Sequence, residues 1–236
     1  MSVVSMIDHS LLLPTQTEED LHAACSMCRE LGVASICVKP AMLLLAAELL
    51  QGSQVAPSTV IGFPHGGTTT KCKVFETELA CEHGAREVDM VVSLGHVLAE
   101  DWVYVGEEIR QVVEAASSGG AITKVIFENG LLPDDSLKIR LCELSEAAGA
   151  AFVKTSTGHG YVKDASGALQ VTGATEYDVR LMREHTSDRV QVKAAGGIRT
   201  YADALRFAAL GVTRFGTSST EAIAAGEAAA NPTPIG

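Results

Sequence analysis

Residues 136–154, SLKIRLCELSEAAGAAFVK, contain one complete unit of the pattern that decides the fold of this chain. Leucine and alanine recur at helical spacing through residues 137–148, so this part is predicted to be an amphipathic helix. Gly149 follows where a left-handed helix C-cap is expected, and an apolar run at 151–154 ends in a lysine. The segment therefore predicts a helix that ends at a glycine and leads directly into a buried strand.

The same helix, glycine and strand unit returns in LGVASICV (31–38), HGAREVDM (83–90) and LGVTRFGT (210–217). Strict alternation of strands and helices is typical of parallel strands joined by right-handed crossovers. The predicted strands number eight and lie at residues 3–8, 35–38, 59–62, 87–92, 123–127, 151–154, 190–194 and 213–216. This number, and the lack of a G-x-G-x-x-G motif after the first strand, favour a closed (β/α)8 TIM barrel over an open doubly wound sheet.

The length and composition of the chain fit one such barrel. It has 236 residues, of which 47% are hydrophobic and 5% aromatic, as expected for a core built from Val, Leu, Ile and Ala. No Pro/Gly/Ser-rich linker or shift in composition divides the sequence. We therefore predict a single domain over residues 1–236, with a loose C-terminal tail at 228–236, AAANPTPIG.

The charge of the chain argues against two classes of partner. Eighteen Lys and Arg against 29 Asp and Glu give a formal net charge of −11, which repels nucleic acid and anionic lipid. No apolar run approaches the roughly 20 residues of a membrane span, and the first residues lack the pattern of a signal peptide. We predict a cytoplasmic protein that binds neither nucleic acid nor membranes.

The cysteines and histidines do not indicate a metal site. The six cysteines are predicted to be reduced. The lone C-x-x-C pair, Cys25 and Cys28, shares an apolar helix face and is predicted to belong to the core rather than to a metal or redox site. None of the seven histidines has metal-ligand spacing, so the sequence predicts no metal ion.

Two lysines occupy an unusual position, because each ends an apolar strand: Lys154 in AAFVKTSTG and Lys193 in RVQVKAAGG. An ammonium group is costly to bury, and most lysines lie on helix surfaces. If both point into one barrel mouth, each lowers the pKa of the other, and one becomes partly neutral and nucleophilic near pH 7. Alternatively, either lysine pairs with a barrel carboxylate and only stabilises the fold, but two on separate strand ends favour the catalytic interpretation.

Asp89 lies inside an otherwise apolar strand, in REVDMVV (86–92), and points into the barrel if it shares a face with Glu87 and Val91. A carboxylate there can hold a lysine ammonium or relay protons through water. The alternative is a buried ion pair without a catalytic role, and the sequence leaves both interpretations open.

Two glycine turns follow the last two predicted strands, Gly196-Gly197-Ile198-Arg199 and Gly216-Thr217-Ser218-Ser219. Each turn allows close approach of the backbone to an anion. In β/α barrels the loops after the seventh and eighth strands commonly form a phosphate site. Either turn alone is more often only backbone geometry, but the two together predict phosphate binding, with Arg199 as a phosphate contact or a surface helix residue.

With these residues in view, the sequence resembles the deoxyribose-phosphate aldolases, a class I aldolase family. The motifs that carry the resemblance are FVKTSTG, VKAAGGIRT, EVDMVV, GFPHG, ICVKP and the final GTSS, and they extend in order from Ile7 to Ser219. The resemblance implies a Schiff-base lyase without a cofactor that acts on a small phosphorylated aldehyde sugar. The implied reaction is the reversible cleavage of 2-deoxy-D-ribose 5-phosphate to D-glyceraldehyde 3-phosphate and acetaldehyde, in deoxyribose phosphate catabolism, by a homodimer.

The resemblance also assigns roles to residues. It implies that Lys154 is the Schiff-base lysine, Lys193 the lysine that lowers its pKa, and Asp89 the proton-relay acid. Residues implied to hold the phosphate are Gly196, Gly197, Gly216, Ser218 and Ser219, those implied to line the pocket are Asp8, Cys37 and Thr157, and Lys124 and Arg199 have supporting roles. Two positions depart from the family pattern: Asn129 stands where a threonine is usual, and His159 where a lysine or an aromatic is common.

Two other functions fit the same sequence. A phosphosugar isomerase or epimerase on the same barrel would work through an enediolate without an imine. A non-catalytic sugar-phosphate-binding protein would need the phosphate turns but not the inward pair of lysines. Both lysines are present, which favours the aldolase.

Overall fold

Parallel strands close into a barrel in the computed structural model, which describes residues 2–231. In chain order the strands are β1 (Ile7–Leu11), β2 (Ser35–Val38), β3 (Ala56–Ile61), β4 (Glu87–Val91), β5 (Ile122–Ile126), β6 (Phe152–Lys154), β7 (Tyr161–Lys163), β8 (Leu169–Val171), β9 (Gln191–Ala195) and β10 (Val212–Thr217). The barrel contains all of these except β7 and β8, and β10 pairs with β1 to complete the ring. The predicted (β/α)8 TIM barrel is therefore confirmed.

Helices surround the barrel and cover its strands. In chain order they are α1 (Glu18–Leu31), α2 (Leu43–Leu49), α3 (Thr70–Glu82), α4 (Leu94–Leu98), α5 (Trp102–Ser118), α6 (Asp135–Ala148), α7 (Glu176–Glu184), α8 (Tyr201–Ala208) and α9 (Thr220–Ala230). Buried aliphatic side chains fill the layer between helices and strands, and Cys25 and Cys28 are buried in it. Within residues 2–231, no helix is both long and apolar enough to cross a membrane.

Short-range signals set where several helices begin and end. Gly32 and Gly149 follow α1 and α6 in the left-handed conformation, with φ of 68° and 83°. Glycine adopts this conformation without the steric cost that a Cβ brings. Thr17 and Thr200 form capping boxes at the starts of α1 and α8, each accepting a hydrogen bond from a backbone N–H of the first turn.

The first strand differs from its prediction. A 3-10 turn, Val4–Met6, occupies half of the segment predicted as strand, residues 3–8, and β1 begins only at Ile7. The backbone N–H of Val3 donates to Glu227 of α9 over 2.8 Å, so this end of the chain is tied to the last helix instead of to a neighbouring strand. The β-rich composition of the segment reflects burial of its valines against the core.

Two further segments were predicted incorrectly or not at all. The antiparallel hairpin β7–β8 projects between β6 and α7, and all six of its strand residues are exposed. The hairpin has no buried face and so produces no hydrophobic pattern by which the sequence could indicate it. Helix α9 includes residues 228–230, which were assigned to the loose tail, and residues 232–236 of that tail lie outside the described residues.

Charged side chains point into the barrel because alternate residues of a strand face the same side. Strand pairing then brings them together on neighbouring strands. Asp89 of β4 is adjacent to Lys124 of β5, and Lys154 of β6 is adjacent to Lys193 of β9. The interior of the barrel is therefore polar, whereas the layer outside it is apolar.

Candidate active site

Three lysine amines meet at Asp89 inside the barrel. Lys154 Nζ and Lys193 Nζ both donate to Asp89 Oδ2, each over 2.7 Å, so the two nitrogens lie within twice that distance of each other. Lys124 Nζ donates to the other carboxylate oxygen, Oδ1, over 2.7 Å. One carboxylate thus bridges side chains from three other strands.

The three amines differ in the number of carboxylates that they contact. Lys124 Nζ has three partners at 2.6–3.3 Å, and Lys193 Nζ has two, at 2.5 and 2.7 Å. Among the residues that the structure describes, Lys154 Nζ forms a salt bridge with Asp89 alone. Lys154 is therefore the amine least stabilised as a cation.

The charges of the cluster do not balance. Arg214 of β10 donates to Asp8 over 2.6 Å and to Glu87 over 2.8 Å, which gives four basic side chains against three carboxylates, Asp8, Glu87 and Asp89. An uncompensated buried charge is costly, and a guanidinium does not lose its proton in proteins. Loss of one proton from an amine relieves the excess.

The pKa shifts follow these contacts. Burial lowers the pKa of the Lys154 amine; Asp89 opposes this shift and Lys193 adds to it. Burial also opposes the charge of Lys193, but Asp8 and Asp89 outweigh it, and the pKa of Lys193 is raised. The net shift is thus downward for Lys154 and upward for Lys193, because Lys193 has two carboxylates beside it. Asp89 is buried too, yet the three lysines hold its pKa well below the usual range.

A cavity of about 270 Å³ opens at the carboxyl ends of the barrel strands, where β/α barrels carry their active sites. Its walls are formed by Ser10, Leu12, Leu13, Gln16, Lys154, Thr157, Gly158, His159, Val171, residues 195–199 and residues 216–219. Of the three barrel lysines, Lys154 is the one on this wall. The amine with the lowered pKa is thus the one that a ligand in the cavity can reach.

The cavity brings together most of the predicted pocket and phosphate residues, but not all. Asp8 and Cys37, predicted to line the pocket, lie instead in the barrel interior and are 0% and 1% exposed. They lie on the inner faces of β1 and β2 at the level of the lysine cluster. Asp8 forms salt bridges with Lys193 and Arg214. Burial raises the pKa of the Cys37 thiol to about 11.

The two glycine turns form one side of the cavity. Gly196 has a φ of 87°, and a Cβ there would lie 2.8 Å from Gly173 Cα, so the turn requires glycine. Gly197 is also left-handed, with a φ of 85°, and has open space where a Cβ would be. Ser219 is the N-cap of α9 but makes no side-chain capping bond, which leaves the first N–H groups of that helix available to an anion.

Two members of the cluster were missing from the sequence-based site. Arg214 and Glu87 complete the charge network, and Arg214 is only 15% exposed at its side chain. The available signal was a charged residue inside a β-rich run, two positions before Gly216 and hence on the same face of the strand. The alternation of side chains along this strand therefore indicates that Arg214 points into the barrel.

Other features of the surface lack these side chains. A larger groove of about 840 Å³ lies between α3 and α5, and none of the barrel lysines lines it. Within residues 2–231, no group of three or more His, Cys, Asp or Glu side chains is placed to hold a metal ion.

Known proteins resemble this chain in sequence and in fold. The sequence profile described as DeoC/LacD family aldolase matches residues 2–224. The chain belongs to the DeoC/LacD family of aldolases. Similar DeoC/LacD relatives include the deoxyribose-phosphate aldolase of Rhodopirellula baltica, 47% identical over 92% of this chain and 86% of the relative. That of Carboxydothermus hydrogenoformans is 43% identical over 95% of this chain and 94% of the relative.

Solved structures of aldolases have the same fold as this DeoC/LacD member. The deoxyribose phosphate aldolase from Aeropyrum pernix, described as tetrameric, superposes with a TM-score of 0.84 at 31% identity, over 98% of this chain and 92% of that one. An aldolase designated QR15 superposes with a TM-score of 0.85 at 33% identity, over 94% of each chain. The barrel therefore has the fold of these aldolases.

Proposed function

We propose that this chain is a class I aldolase that reversibly cleaves 2-deoxy-D-ribose 5-phosphate to D-glyceraldehyde 3-phosphate and acetaldehyde, with Lys154 as the Schiff-base lysine. One observation carries the proposal: Lys154 is the barrel amine that lines the cavity, has a single carboxylate partner and has a lowered pKa. A neutral amine is the nucleophile that imine formation needs. The family, and relatives named deoxyribose-phosphate aldolases, support the choice of substrate.

The proposed reaction begins when neutral Lys154 attacks C1 of the open-chain sugar phosphate and water is lost to give an iminium ion. The 3-hydroxyl then loses its proton, the C2–C3 bond breaks, and its electron pair moves into the iminium to form an enamine. Glyceraldehyde 3-phosphate leaves, C2 is protonated, and hydrolysis releases acetaldehyde and restores the amine. Asp89, acting with water, is the group proposed to accept and return the protons.

The neighbouring charges have a different task in this proposal. Lys193 and Lys124 stay protonated because carboxylates hold them as cations. Their charge keeps Asp89 ionised and opposes a further positive charge at Lys154. The protein thus supplies a neutral amine and an ionised carboxylate side by side, before the substrate binds.

The phosphate of the substrate is proposed to bind at the two glycine turns. Gly197 and the start of α9 present backbone N–H groups on the cavity wall. Arg199 is exposed on the same wall and forms no salt bridge among residues 2–231, so its guanidinium can pair with a phosphate. This arrangement places the charged end of the substrate away from the lysine that reacts with its aldehyde.

Borohydride trapping tests the proposal directly. Incubation with acetaldehyde and sodium borohydride should convert the imine into an N-ethyl group on Lys154, identified by peptide mass spectrometry. Lys154→Leu should abolish trapping and the cleavage of 2-deoxyribose 5-phosphate, whereas Lys71→Leu, which removes an exposed lysine of α3, should change neither. Turnover of a sugar phosphate without any adduct at Lys154 would point to an isomerase or epimerase, and binding without turnover to a non-catalytic protein.

We also propose that the protein is a cytoplasmic homodimer. All six cysteines are free thiols, the state that a reducing compartment maintains. The family resemblance favours a dimer, although the Aeropyrum pernix relative is described as a tetramer. Light scattering coupled to size exclusion separates these two states by mass.

A further inference from the structure

Glu128 is a buried carboxylate outside the lysine cluster, and the mechanism above gives it no task. It stands between β5 and the 3-10 turn Asn129–Leu131 and is 1% exposed. Its backbone is left-handed, with a φ of 56° and a ψ of 53°, a conformation that is unfavourable for a residue with a Cβ. Such strain persists where surrounding contacts fix the residue, and it is concentrated at functional sites.

Two threonines supply the hydrogen bonds to this carboxylate. Thr157 donates both its backbone N–H, over 3.2 Å, and its hydroxyl to Oε2. Thr172, at the end of the β7–β8 hairpin, donates its hydroxyl to Oε1 over 3.1 Å. No lysine or arginine among residues 2–231 forms a salt bridge with Glu128, so it serves as an acceptor for neutral donors.

Close packing leaves Glu128 and Thr172 little room to move. A Cβ at Gly160 would lie 2.8 Å from Glu128 Cδ, and a Cβ at Gly130 would lie 2.4 Å from Thr172 Cβ. Both glycines allow the backbone to lie against the carboxylate or its threonine partner. Tight packing therefore fixes the positions of these groups, and the direction of the hydrogen bonds follows because an ionised carboxylate only accepts.

These bonds determine what Thr157 can offer to a ligand. Its hydroxyl has one hydrogen, which is donated to Glu128, and its oxygen also accepts from the backbone N–H of His159 over 2.9 Å. Thr157 lies on the cavity wall that Lys154 shares. Its remaining lone pair can only accept a hydrogen bond, although a free threonine hydroxyl can donate or accept.

We infer that Glu128 is a positioning residue that fixes the Thr157 hydroxyl as an acceptor for the 4-hydroxyl of the bound sugar phosphate. This inference rests on the proposed function. The 3-hydroxyl loses its proton during cleavage and must face a base. The 4-hydroxyl keeps its proton throughout, so it needs a hydrogen-bond acceptor that does not also act as a donor. Thr157 is such an acceptor, and it selects substrates that carry a donor at this position.

The test compares two substrates that differ only at that position: 2-deoxyribose 5-phosphate and its 2,4-dideoxy analogue. Cleavage of either releases acetaldehyde, which alcohol dehydrogenase and NADH report. The quantity measured is the ratio of kcat/KM for the two substrates. Loss of the acceptor in Thr157→Val should lower the preference for the hydroxylated substrate by about tenfold, the effect of one net hydrogen bond.

Three further variants separate positioning from a general effect on folding. Glu128→Met keeps the length but accepts nothing, so it should lower the ratio several-fold. Glu128→Gln should keep the ratio near that of the wild type, because the amide oxygen can accept from Thr157 while the NH₂ group donates to Thr172. The double variant Glu128→Met/Thr157→Val should have the ratio of Thr157→Val alone, since the effect acts through Thr157.

The result that overturns the inference is a ratio that Thr157→Val leaves unchanged, or an equal loss with both substrates in Glu128→Met. If Glu128→Met does not fold, the other two single variants decide. The inference is supported if Thr157→Val loses the preference for the hydroxylated substrate and Glu128→Gln retains it. Any other combination of results overturns the inference. A wild type that cleaves neither substrate overturns the proposed function and the inference together. A wild type that cleaves 2-deoxyribose 5-phosphate separates the two questions.

Discussion

Lys154 and Lys193 are adjacent in the barrel, yet the pKa of the first is lowered and that of the second is raised. Burial acts on both in the same direction, because removing an ammonium from water disfavours its charge. The difference comes from the carboxylates: Lys193 contacts Asp8 and Asp89, whereas Lys154 shares only Asp89. Lys154 is therefore favoured as the nucleophile because it has fewer carboxylate partners than Lys193.

Removal of Lys193 should raise the pKa of Lys154. Catalysis needs the neutral amine, which is present above its pKa and is lost as the pH falls through that value. In Lys193→Met the acid limb of the pH–activity profile should therefore move to higher pH, and activity at pH 7 should fall by about tenfold or more. Cleavage of 2-deoxyribose 5-phosphate from pH 5 to 10 measures this, with the exposed Lys71→Met as the control. An acid limb that stays in place would contradict it.

Gly216 provides the space that Lys193 occupies. A Cβ at Gly216 would lie 2.9 Å from Ala195 Cβ and 3.3 Å from Lys193 Cε. We expect Gly216→Ala to displace the Lys193 stem, to lower the free energy of unfolding by about 1–3 kcal/mol, and to reduce activity. Urea unfolding and the cleavage assay measure the two effects.

The matched control is Gly95→Ala. Gly95 lies in α4, and a Cβ there meets no atom within 4 Å. Because alanine is the better helix former, this change should leave activity intact and keep or slightly raise stability. Equal losses in both variants would show that Gly216 has no special role beside Lys193.

At the scale of the elements, a second buried ion pair joins α3 and α5 to the end of β4. Lys73 Nζ donates to Glu108 Oε1 over 2.7 Å and to the Val91 carbonyl over 2.7 Å, and both charged side chains are 0% exposed. Glu108 also accepts from the backbone N–H of Ser93 over 2.9 Å. Burial lowers the pKa of Lys73 and raises that of Glu108.

Breaking this pair on one side should cost more than removing both partners. Lys73→Met leaves a buried carboxylate without its cation and should lower the free energy of unfolding by about 3–5 kcal/mol, whereas Lys73→Met/Glu108→Leu should cost less than that single change. Urea unfolding of the two variants measures the difference. Arg110→Met, which breaks exposed pairs with Glu107 and Glu114, should cost less than about 1 kcal/mol.

A double variant less stable than Lys73→Met would contradict this account. Such a result would mean that the ion pair itself stabilises the packing of the helices. The loss in Lys73→Met would then not come only from an unpaired buried charge. Loss of the exposed ion pairs of Arg110 on α5 separates this effect from a general sensitivity of the helix to substitution.

At the scale of the whole molecule, the charge cluster draws side chains from β1, β4, β5, β6, β9 and β10. Six of the eight barrel strands therefore meet at one set of contacts, and closure of the ring between β1 and β10 is required to complete it. His9 of β1 strengthens that closure from outside, since its Nδ1 lies 2.9 Å from Thr220 Oγ1 at the start of α9.

The buried His9 should make stability depend on pH. Burial lowers its pKa from 6.5 to about 4 in the folded protein. Below pH 6.5 the unfolded chain therefore binds a proton that the folded chain does not, and the free energy of unfolding should decrease between pH 6.5 and 4 by up to roughly 3 kcal/mol. The contribution is fully present above pH 6.5.

His9→Asn isolates this contribution, because the asparagine amide can replace the Nδ1 contact but does not titrate. The difference in the free energy of unfolding between wild type and variant should be constant above pH 6.5 and should change as the pH falls to 4. Parallel pH profiles of the two proteins, measured by urea unfolding, would refute a role for His9.

Local patterns in the sequence were enough to predict the barrel. Alternation of apolar runs with helical spacing, and glycines such as Gly32 and Gly149 at the helix ends, act over a few residues and need no knowledge of distant contacts. The same local rule placed Lys154, Lys193 and Asp89 on inward faces, because side chains alternate along a strand.

Only the tertiary structure decided which of those residues is the candidate nucleophile and which remain charged. Which amine is least stabilised as a cation depends on distances between strands that are far apart in the chain, and on Arg214 and Glu87, which complete the charge count. The contact of Glu128 with Thr157 likewise joins separate loops. Desolvation and Coulomb energies depend on which groups meet in space, and that is settled only when the ring closes.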